Sequence, residues 1–285
     1  MKKVLSLVLC LVLVLGLVGL VGCGGEEKEK VTAKVIEINL TEEEYAFGVD
    51  KNQPELLTKA NEFIAQIKGN GKFDEICNKY FGDGTPTPVT SAKLDTSKDQ
   101  LVVATNAHFE PFEYTQGDKY LGIDMEIASL FAQYLNQELV IMDMDFDSVC
   151  LSVGQHKCDI AMAGLTIKPA REEHVTFTTT YYVASQKLIV RSDDNKFNEC
   201  KTTADVEKIL NTFDSSVKIG VQNGTTGLYY CQGDADWDFP GFKVTTVGYK
   251  NGSLAIQDML NNNINYVVID SAPAKFITEA INKNR

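Results

Sequence analysis

Short apolar runs alternate with amphipathic stretches from residue 101 to the end of the chain. The runs predict strands at LVVATN (101–106), ELVIMDMDF (138–146), CDIAMAG (158–164), QKLIVR (186–191), VKIGVQ (217–222) and INYVVID (264–270). Between them, apolar residues recur every three or four positions, which is the helical period. These stretches predict helices at GIDMEIASLFAQYL, TADVEKILNTF, GSLAIQDMLNNN and SAPAKFITEAIN. Strands that alternate with helices form βαβ units, so the pattern predicts an α/β fold with largely parallel sheets.

The segment before residue 83 repeats these patterns in another arrangement. AKVIEI (33–38) and EEEYAFGV (42–49) predict strands, and two helices are predicted at ELLTKANEFIAQIK (55–68) and KFDEICNKYFG (72–82). Gly69 and Gly71 follow the first helix, and glycine is a common helix terminator. Residues 83–100 are rich in Pro, Thr, Ser and Asp. That composition predicts a linker or an ordered surface strap.

The first residues have the pattern of an export signal. Lys2 and Lys3 precede an uncharged apolar run that extends to Val21, and LVGC follows at 20–23. This predicts that residues 1–22 form a signal peptide. Cys23 resembles the lipobox cysteine of bacterial lipoproteins, which implies lipidation of its thiol and a tether over residues 23–30. A membrane-spanning anchor remains the alternative, since about 18 apolar residues are long enough to span a bilayer.

Composition excludes several classes of function. The formal net charge of −12 disfavours a nucleic-acid partner, because phosphate binding needs a basic patch. The three histidines are scattered and no CxxC pair is present, so we expect neither a metal site nor a cofactor. Of the seven cysteines, the five beyond Cys23 are expected to be buried and reduced. A Cys150–Cys158 pair remains open, because spacing alone does not decide it.

A series of motifs resembles type 2 periplasmic solute-binding proteins of the polar amino-acid ABC-transporter family. They are LVVATNAHFEPFEY, YLGIDMEIA, CDIAMAGLTIKPAREEHVTFTTTYYVASQ, VQNGTTG and YVVIDSAPA. The resemblance covers nearly all of residues 34–285. It implies two Rossmann-like lobes joined by a two-strand hinge. It also implies a monomer that captures a free amino acid between its lobes and delivers it to the membrane permease of an ABC importer.

One part of the resemblance is out of order. Residues 40–82 resemble the family's C-terminal end, yet they precede the opening strand LVVATN. The chain therefore resembles a circular permutant of the family, in which residues 83–100 join the old ends. The expected large lobe is 46–187, which includes that linker, and the expected small lobe is 31–45 with 188–285. The alternative is that the early segment remains from a tandem duplication and packs separately.

The resemblance also assigns the groups that would hold an amino-acid zwitterion. Arg171 would pair with the carboxylate, because a guanidinium offers two parallel donors. Asp270 would neutralise the ammonium at the end of a strand. Thr166 would offer its hydroxyl and N–H, and the Gly164 carbonyl would accept from the ammonium. The alternatives are a surface arginine paired with a neighbouring glutamate, and helix caps at Thr166 and Asp270.

Further residues complete this expected site. Backbone N–H groups of Thr225 and Thr226 would face the carboxylate from the second lobe. Phe109 and Phe146 match aromatic positions that sandwich the ligand. Three further candidates, for specificity, are Asn106, His108 and Tyr182. Asn106 replaces an acid that is common in the family, which argues against a basic ligand.

The resemblance favours a binding protein over an enzyme. Some proteins of this fold act as dehydratases on prephenate-like substrates, which requires a positioned acid or base. The sequence contains no G-x-S-x-G motif and no P-loop. His108 is the candidate with a suitable ordinary pKa. A binding module that serves a separate receptor is the other alternative.

Overall fold

The structure, a computed structural model, describes residues 30–285. The predicted signal peptide, the lipidation site at Cys23 and nearly all of the tether lie outside the described residues. Residues 31–285 pack as one unit. None of the helices in this part of the chain has the length and apolar character needed to cross a bilayer.

Fifteen strands and nine α-helices make up the described residues. The strands are β1 (Ala33–Val35), β2 (Glu43–Tyr45), β3 (Gly48–Asp50), β4 (Gln100–Thr105), β5 (His108–Phe109), β6 (Glu113–Gln116), β7 (Lys119–Leu121), β8 (Glu138–Asp143), β9 (Ile160–Ala161), β10 (Val175–Phe177), β11 (Tyr182–Ala184), β12 (Gln186–Arg191), β13 (Lys218–Gln222), β14 (Thr245–Tyr249) and β15 (Tyr266–Asp270). The helices are α1 (Pro54–Gly69), α2 (Lys72–Phe81), α3 (Ile123–Leu135), α4 (Val149–Gly154), α5 (Pro169–Glu172), α6 (Thr203–Leu210), α7 (Thr226–Gln232), α8 (Gly252–Leu260) and α9 (Ser271–Lys283), with a 3-10 turn at Phe146–Ser148.

Two five-stranded sheets share one arrangement of parallel and antiparallel neighbours. The first runs β10-β3-β9-β4-β8 and the second runs β1-β12-β15-β13-β14. In each sheet two neighbouring pairs are parallel, β4 with β8 and β9, and β13 with β14 and β15. The remaining pairs are antiparallel. The α/β fold is confirmed, but the expectation of largely parallel sheets is wrong, because strands next to the inter-sheet crossings run against their neighbours.

A two-stranded ribbon connects the sheets. Strand β2 pairs antiparallel with β11, with Tyr45 opposite Tyr182. The chain therefore crosses between the sheets twice, and we name 46–181 the large lobe and 31–42 with 185–285 the small lobe. Gln186 and Lys187 pair with β15, so the small lobe begins slightly before the expected residue 188.

The early segment contributes to both lobes. Strand β1 pairs with β12 at the edge of the small-lobe sheet. In the large lobe, the apolar face of α1 packs on α3, where the rings of Phe63 and Phe131 lie 5.2 Å apart. Gly71 has φ of 78° at the junction of α1 and α2, a left-handed conformation that glycine adopts without strain. Residues 31–81 therefore do not form a separate unit.

The Pro- and Thr-rich segment 83–99 is an ordered strap on the large lobe. Val89 is buried and forms a bridge with Tyr120, and the N–H of Ala92 donates to Leu139 O over 2.8 Å. The N–H of Thr87 donates to the buried Glu126 carboxylate over 2.8 Å. The strap thus lies along the lobe and connects α2 to β4.

Glu126 fastens the strap to two helices. Its carboxylate also accepts from Lys79 Nζ at 2.5 Å and from Tyr80 Oη at 2.7 Å. Replacing Glu126 with Ala removes the acceptor of the Tyr80 hydroxyl and of the Thr87 N–H, and it removes the charged partner of Lys79. We therefore expect the free energy of unfolding to fall by about 3 kcal/mol. Urea denaturation measures the change. Glu62→Ala, on the exposed face of α1, is the control and should change stability by about 0.5 kcal/mol or less; equal losses in the two variants would contradict this role.

Candidate functional site

Asp270 ends β15, where the small-lobe sheet meets the hinge ribbon. Its side chain is buried, and it makes no capping hydrogen bond to α9. Asp270 thus occupies the N-cap position of α9, but its side chain does not cap the helix. The carboxylate accepts instead from the hydroxyl of Tyr45 in the ribbon.

The surroundings of Asp270 favour its neutral form. Burial and the charge of Glu43 raise its pKa to about 7, although the hydrogen bond from Tyr45 lowers it. Burial penalises the charged form because the low dielectric solvates it poorly. A cation placed next to Asp270 would reverse this balance and stabilise the ionised carboxylate.

Glu43, which the sequence analysis did not select, lies beside Asp270. Its buried carboxylate accepts from Thr41 Oγ1 at 2.6 Å, from Gln186 Nε2 at 3.0 Å and from Thr166 Oγ1 at 2.6 Å. The triplet EEE at 42–44 resembles a charged surface. In strand β2, however, Glu43 and Tyr45 are buried and Glu44 is exposed. The two-residue period of a strand was therefore the signal that the Glu43 side chain faces inward.

Arg171 extends from α5 of the large lobe to the small lobe. Its Nη1 donates to Thr166 O at 2.5 Å and its Nη2 to Gly224 O at 3.0 Å. The guanidinium carbon lies 5.2 Å from the centre of the Phe146 ring, within cation–π range. Among the described contacts, none pairs Arg171 with Glu172 or Glu173, so the surface-arginine alternative does not fit.

The threonines meet across the lobes. Thr226 Oγ1 lies 3.4 Å from Thr166 Oγ1, and both residues are buried. Thr225 is the N-cap residue of α7, and its hydroxyl donates to Gln222 O at 2.8 Å. The cap of α5 is Lys168, so Thr166 does not cap that helix.

Gly164 lies in a tight position between two rings. Its φ is +53°, and a Cβ there would lie 2.9 Å from Cε1 of Phe109. A side chain at this position would therefore clash with the aromatic group that the sequence predicts for the ligand. The N–H of Gly164 donates to Asp124 at 2.9 Å.

The three specificity candidates occupy different places. Asn106 bridges the lobes, since its Nδ2 donates to Met144 O at 2.7 Å and its Oδ1 accepts from Gln222 Nε2 at 3.0 Å. His108 is exposed and lines a separate cavity of about 230 Å³. Tyr182 packs in the hinge, stacked 6.0 Å from Phe81. The cavity at His108 also has lining residues from both lobes, but it shares none with the residues around Thr166 and Thr226, so the structure places His108 apart from Asn106's partners.

A cavity of about 320 Å³ opens at the junction of the lobes. It has lining residues from the hinge ribbon and from both lobes. They are Thr41, Glu42, Glu43, Glu44, Thr166, Ile167, Thr226, Trp237 and Phe239. The cavity therefore adjoins the two threonines and the buried Glu43 carboxylate.

Glu113 is a second acid that the sequence analysis missed. It lies on β6, four residues after Phe109, and is fully buried. Neither of its carboxylate oxygens has a hydrogen-bond partner. Burial raises its pKa well above the ordinary value, and the charges of Asp124, Asp270 and Asp143 raise it further. These surroundings favour the protonated, neutral carboxyl, and an unpaired buried carboxyl of this kind is costly.

Comparison with known proteins identifies the family. Residues 101–273 match the family model of bacterial extracellular solute-binding proteins, family 3. The chain belongs to this family. The residues that match the family model begin in β4 and include Arg171 and Asp270. The resemblance to type 2 amino-acid binding proteins that the sequence motifs indicated is therefore confirmed.

Arginine-binding proteins are among the relatives in this family. The arginine-binding extracellular protein ArtP of Bacillus subtilis is 32% identical over 99 residues, 35% of this chain and 39% of that protein. ABC transporter arginine-binding protein 1 of Escherichia coli is 28% identical over 178 residues, 62% of this chain and 65% of that protein. The matched segments thus span less than two thirds of these relatives' lengths.

Solved structures of amino-acid-binding proteins have a similar fold. Holo ArgBP from T. maritima has a TM-score of 0.53 at 28% identity and covers 65% of this chain and 74% of that chain. The ancestral amino acid-binding protein AncCDT-1, a precursor of cyclohexadienyl dehydratase, has a TM-score of 0.54 at 27% identity, covering 64% and 75%. The two-lobed fold predicted from the sequence is therefore confirmed.

Because the site contains buried acids, we expect the stability of the fold to depend on pH. The pKa of Asp270 is about 7 in the fold and about 3.9 in an unfolded chain. Its stabilising contribution is therefore complete below about pH 4 and is lost as pH rises through 7. The melting temperature of the ligand-free protein should fall from about pH 5 to 8, and less so in Asp270→Asn. Asp118→Asn, on an exposed turn, is the control; a slope in Asp270→Asn that equals the wild-type slope would contradict the assignment.

Proposed function

We propose that this chain captures a free amino acid with a cationic side chain between its two lobes and passes it to an ABC importer. One observation carries the ligand class: buried acids are in excess at the lobe junction, where Glu43 lines the cavity and its charge acts on Asp270, which in turn acts on the unpartnered Glu113. A cationic side chain is the group that completes such a site.

The backbone of the ligand would be held as a zwitterion. A carboxylate and an ammonium in a closed cleft must each be paired. The Arg171 guanidinium stands between Thr166 O and Gly224 O, and a guanidinium keeps further donors for a carboxylate. Asp270 and the Gly164 carbonyl receive the ammonium. The Thr226 N–H would add a donor from the small lobe, whereas the Thr225 N–H, also expected to do so, already donates to Gln222 O at 3.4 Å.

Two aromatic rings would enclose the ligand side chain between these groups and Glu113. Phe109 packs on Gly164, and Phe146 lies under Arg171. Because Glu113 supplies an acid, Asn106 does not argue against a basic ligand, which revises the expectation drawn from the sequence. The printed names of two relatives, both arginine-binding proteins, favour the same class.

Binding would work by hinge closure. Contacts between the lobes run from Arg171 to Gly224, from Thr166 to Thr226 and from Asn106 to Gln222. A ligand that touches both lobes stabilises the closed form and shifts the population toward it. The closed form would then be presented to the permease.

Export and lipidation complete the proposed role. Cleavage before Cys23 and acylation of its thiol would hold the protein, as a monomer, at the extracytoplasmic face of a bacterial membrane. Transport is preferred over catalysis; turnover of prephenate or arogenate by the pure protein would replace this proposal with a dehydratase. A separate receptor as the recipient of the closed form is the remaining alternative.

We also propose that the chain is a circular permutant of its family. The family match begins at residue 101, whereas β1 to β3 and helices α1 and α2 precede it and complete both lobes. The strap, residues 83–99, would then join the ancestral ends. Joining ends that lie on the surface is well tolerated.

The ligand proposal is tested by thermal shift with the twenty amino acids. L-Arginine, L-lysine or L-histidine should stabilise the protein, by about 2.7 kcal/mol at a hundredfold excess over Kd. Arg171→Ala should abolish the response because the carboxylate loses its partner. Glu113→Gln should weaken arginine binding at least about tenfold while it spares glutamine.

Glu62→Gln, on the exposed face of α1, is the matched control for Glu113→Gln and should leave every affinity unchanged. Stabilisation by neutral amino acids alone would overturn the cationic class. Unchanged affinity in Arg171→Ala would overturn the placement of the carboxylate.

The permutation is tested by restoring the ancestral order. Asn282 Oδ1 accepts from Ala33 N at 2.9 Å and its Nδ2 donates to Ala33 O at 2.8 Å, so a short linker joins α9 to β1. A chain that runs 100–285, then a glycine-rich linker, then 31–82 should fold and bind the same ligand within about threefold of the parent. Circular dichroism and calorimetry measure both properties. A chain that folds without residues 31–82 would contradict the proposal.

A further inference from the structure

Lys168 is a buried lysine at the junction of the lobes. It lies on the large-lobe segment between Thr166 and Arg171, and it is 2% exposed. Lysine is rarely buried to this extent unless it is paired. The groups that surround its ammonium therefore indicate the role of the side chain.

Four side chains of the small lobe surround the ammonium. Lys168 Nζ lies 2.7 Å from Asp234 Oδ2 and 3.2 Å from Asp236 Oδ2. It also lies 4.3 Å from the centre of the Tyr229 ring and 4.7 Å from the centre of the Trp237 ring. Two carboxylates and two aromatic faces satisfy a desolvated ammonium both by ion pairing and by cation–π attraction. We call these four side chains the cation cage.

The cation cage is assembled within the small lobe. Tyr229 belongs to α7, and the other members follow in the next turn, which a bridge between Asp234 and Phe239 closes. The N–H of Asp236 donates to Asp234 Oδ1 at 3.0 Å, and the rings of Tyr229 and Trp237 meet edge to face at 6.0 Å. The cage therefore does not need Lys168 to bring its members together.

The electrostatics of the cage agree with its geometry. Burial acts to raise the pKa of Asp234, but the hydrogen bond and charge of Lys168, together with the backbone N–H groups of Asp236 and Trp237, leave that pKa below the ordinary value. Asp234 is thus held as the anion that pairs with the ammonium.

The contact crosses the two lobes. The chain passes between them at β2 and β11, and Lys168 lies on one side of this ribbon while the cage lies on the other. Rotation about the ribbon that opens the cleft must withdraw the ammonium from the cage into water. Trp237 also lines the same cavity as Thr166 and Thr226, so the contact lies next to the proposed ligand site.

We propose that Lys168 and the cation cage form a latch that holds the lobes closed and thereby raises ligand affinity without touching the ligand. The latch rests on the proposed hinge closure. Each contact made only in the closed form increases the closed population of the ligand-free protein. Apparent affinity rises in proportion to that population. In the closed form the Lys168 ammonium occupies the cation cage, and a bound ligand adds its own contacts to those of the latch.

The test combines small-angle X-ray scattering of the ligand-free protein with calorimetry using L-arginine. Lys168→Met keeps the length of the side chain and removes the charge. We expect a larger radius of gyration without ligand and about tenfold weaker arginine binding, mostly through faster dissociation. Asp236→Asn, at an exposed cage position, should shift both measurements in the same direction by less. Lys168→Arg should restore them, since a guanidinium pairs with carboxylates and aromatic faces.

Lys187→Met is the matched control. Lys187 is largely buried and pairs with Glu37, and both lie in the small lobe, so its loss should leave the radius of gyration unchanged. An unchanged radius in Lys168→Met would overturn the latch, whatever happens to arginine binding. If wild type fails to bind arginine while Lys168→Met still expands, the ligand proposal fails and the latch stands.

Discussion

Charge buried between two lobes must be paired, and this constraint governs the junction. The large lobe sends two cations across it from one segment, Lys168 to Asp234 and Arg171 to Gly224 O. The acids at the junction are less completely satisfied: burial raises the pKa of Asp270 to about 7, and Glu113 has no partner. An excess of uncompensated carboxyl groups in a low-dielectric cleft is unstable by itself. The cationic amino acid that we propose as the ligand, with two positive groups and one negative group, would match this imbalance.

The two sheets share one arrangement of parallel strands, and this explains why these groups meet. In each lobe the parallel strands end toward the hinge ribbon, so the residues that follow them collect at one junction. Asn106 follows β4, Gln222 ends β13 and Asp270 ends β15. Open α/β sheets place their ligand groups at such strand ends. Asn106 and Gln222 bond to each other across the gap at 3.0 Å, so strand ends also hold the lobes together.

Periodicity predicted the elements that are long enough to repeat a pattern, such as α1, α3 and β15. It predicted EEEYAFGV as one strand, whereas the structure has two, β2 and β3, separated by Ala46 and Phe47. Each has three residues, which is too short for the period of two to show where one strand ends. Motif resemblance selected Arg171 and Asp270. It missed Glu43 and Glu113, because a glutamate in a strand is ordinarily exposed and distant elements bury these two.

The early segment supplies hinge chemistry as well as core. Tyr45 donates to Asp270, and Glu43 accepts from Thr166, so two residues before the strap contact two residues well after it. A separate leftover domain would not place these side chains within the junction. Pairing of β2 with β11 fixes Glu43 and Tyr45. The position of these two residues therefore depends on strand register and not on the order of the segments along the chain. The order of segments can therefore change while the arrangement of charges at the site stays the same, provided that the ribbon is kept.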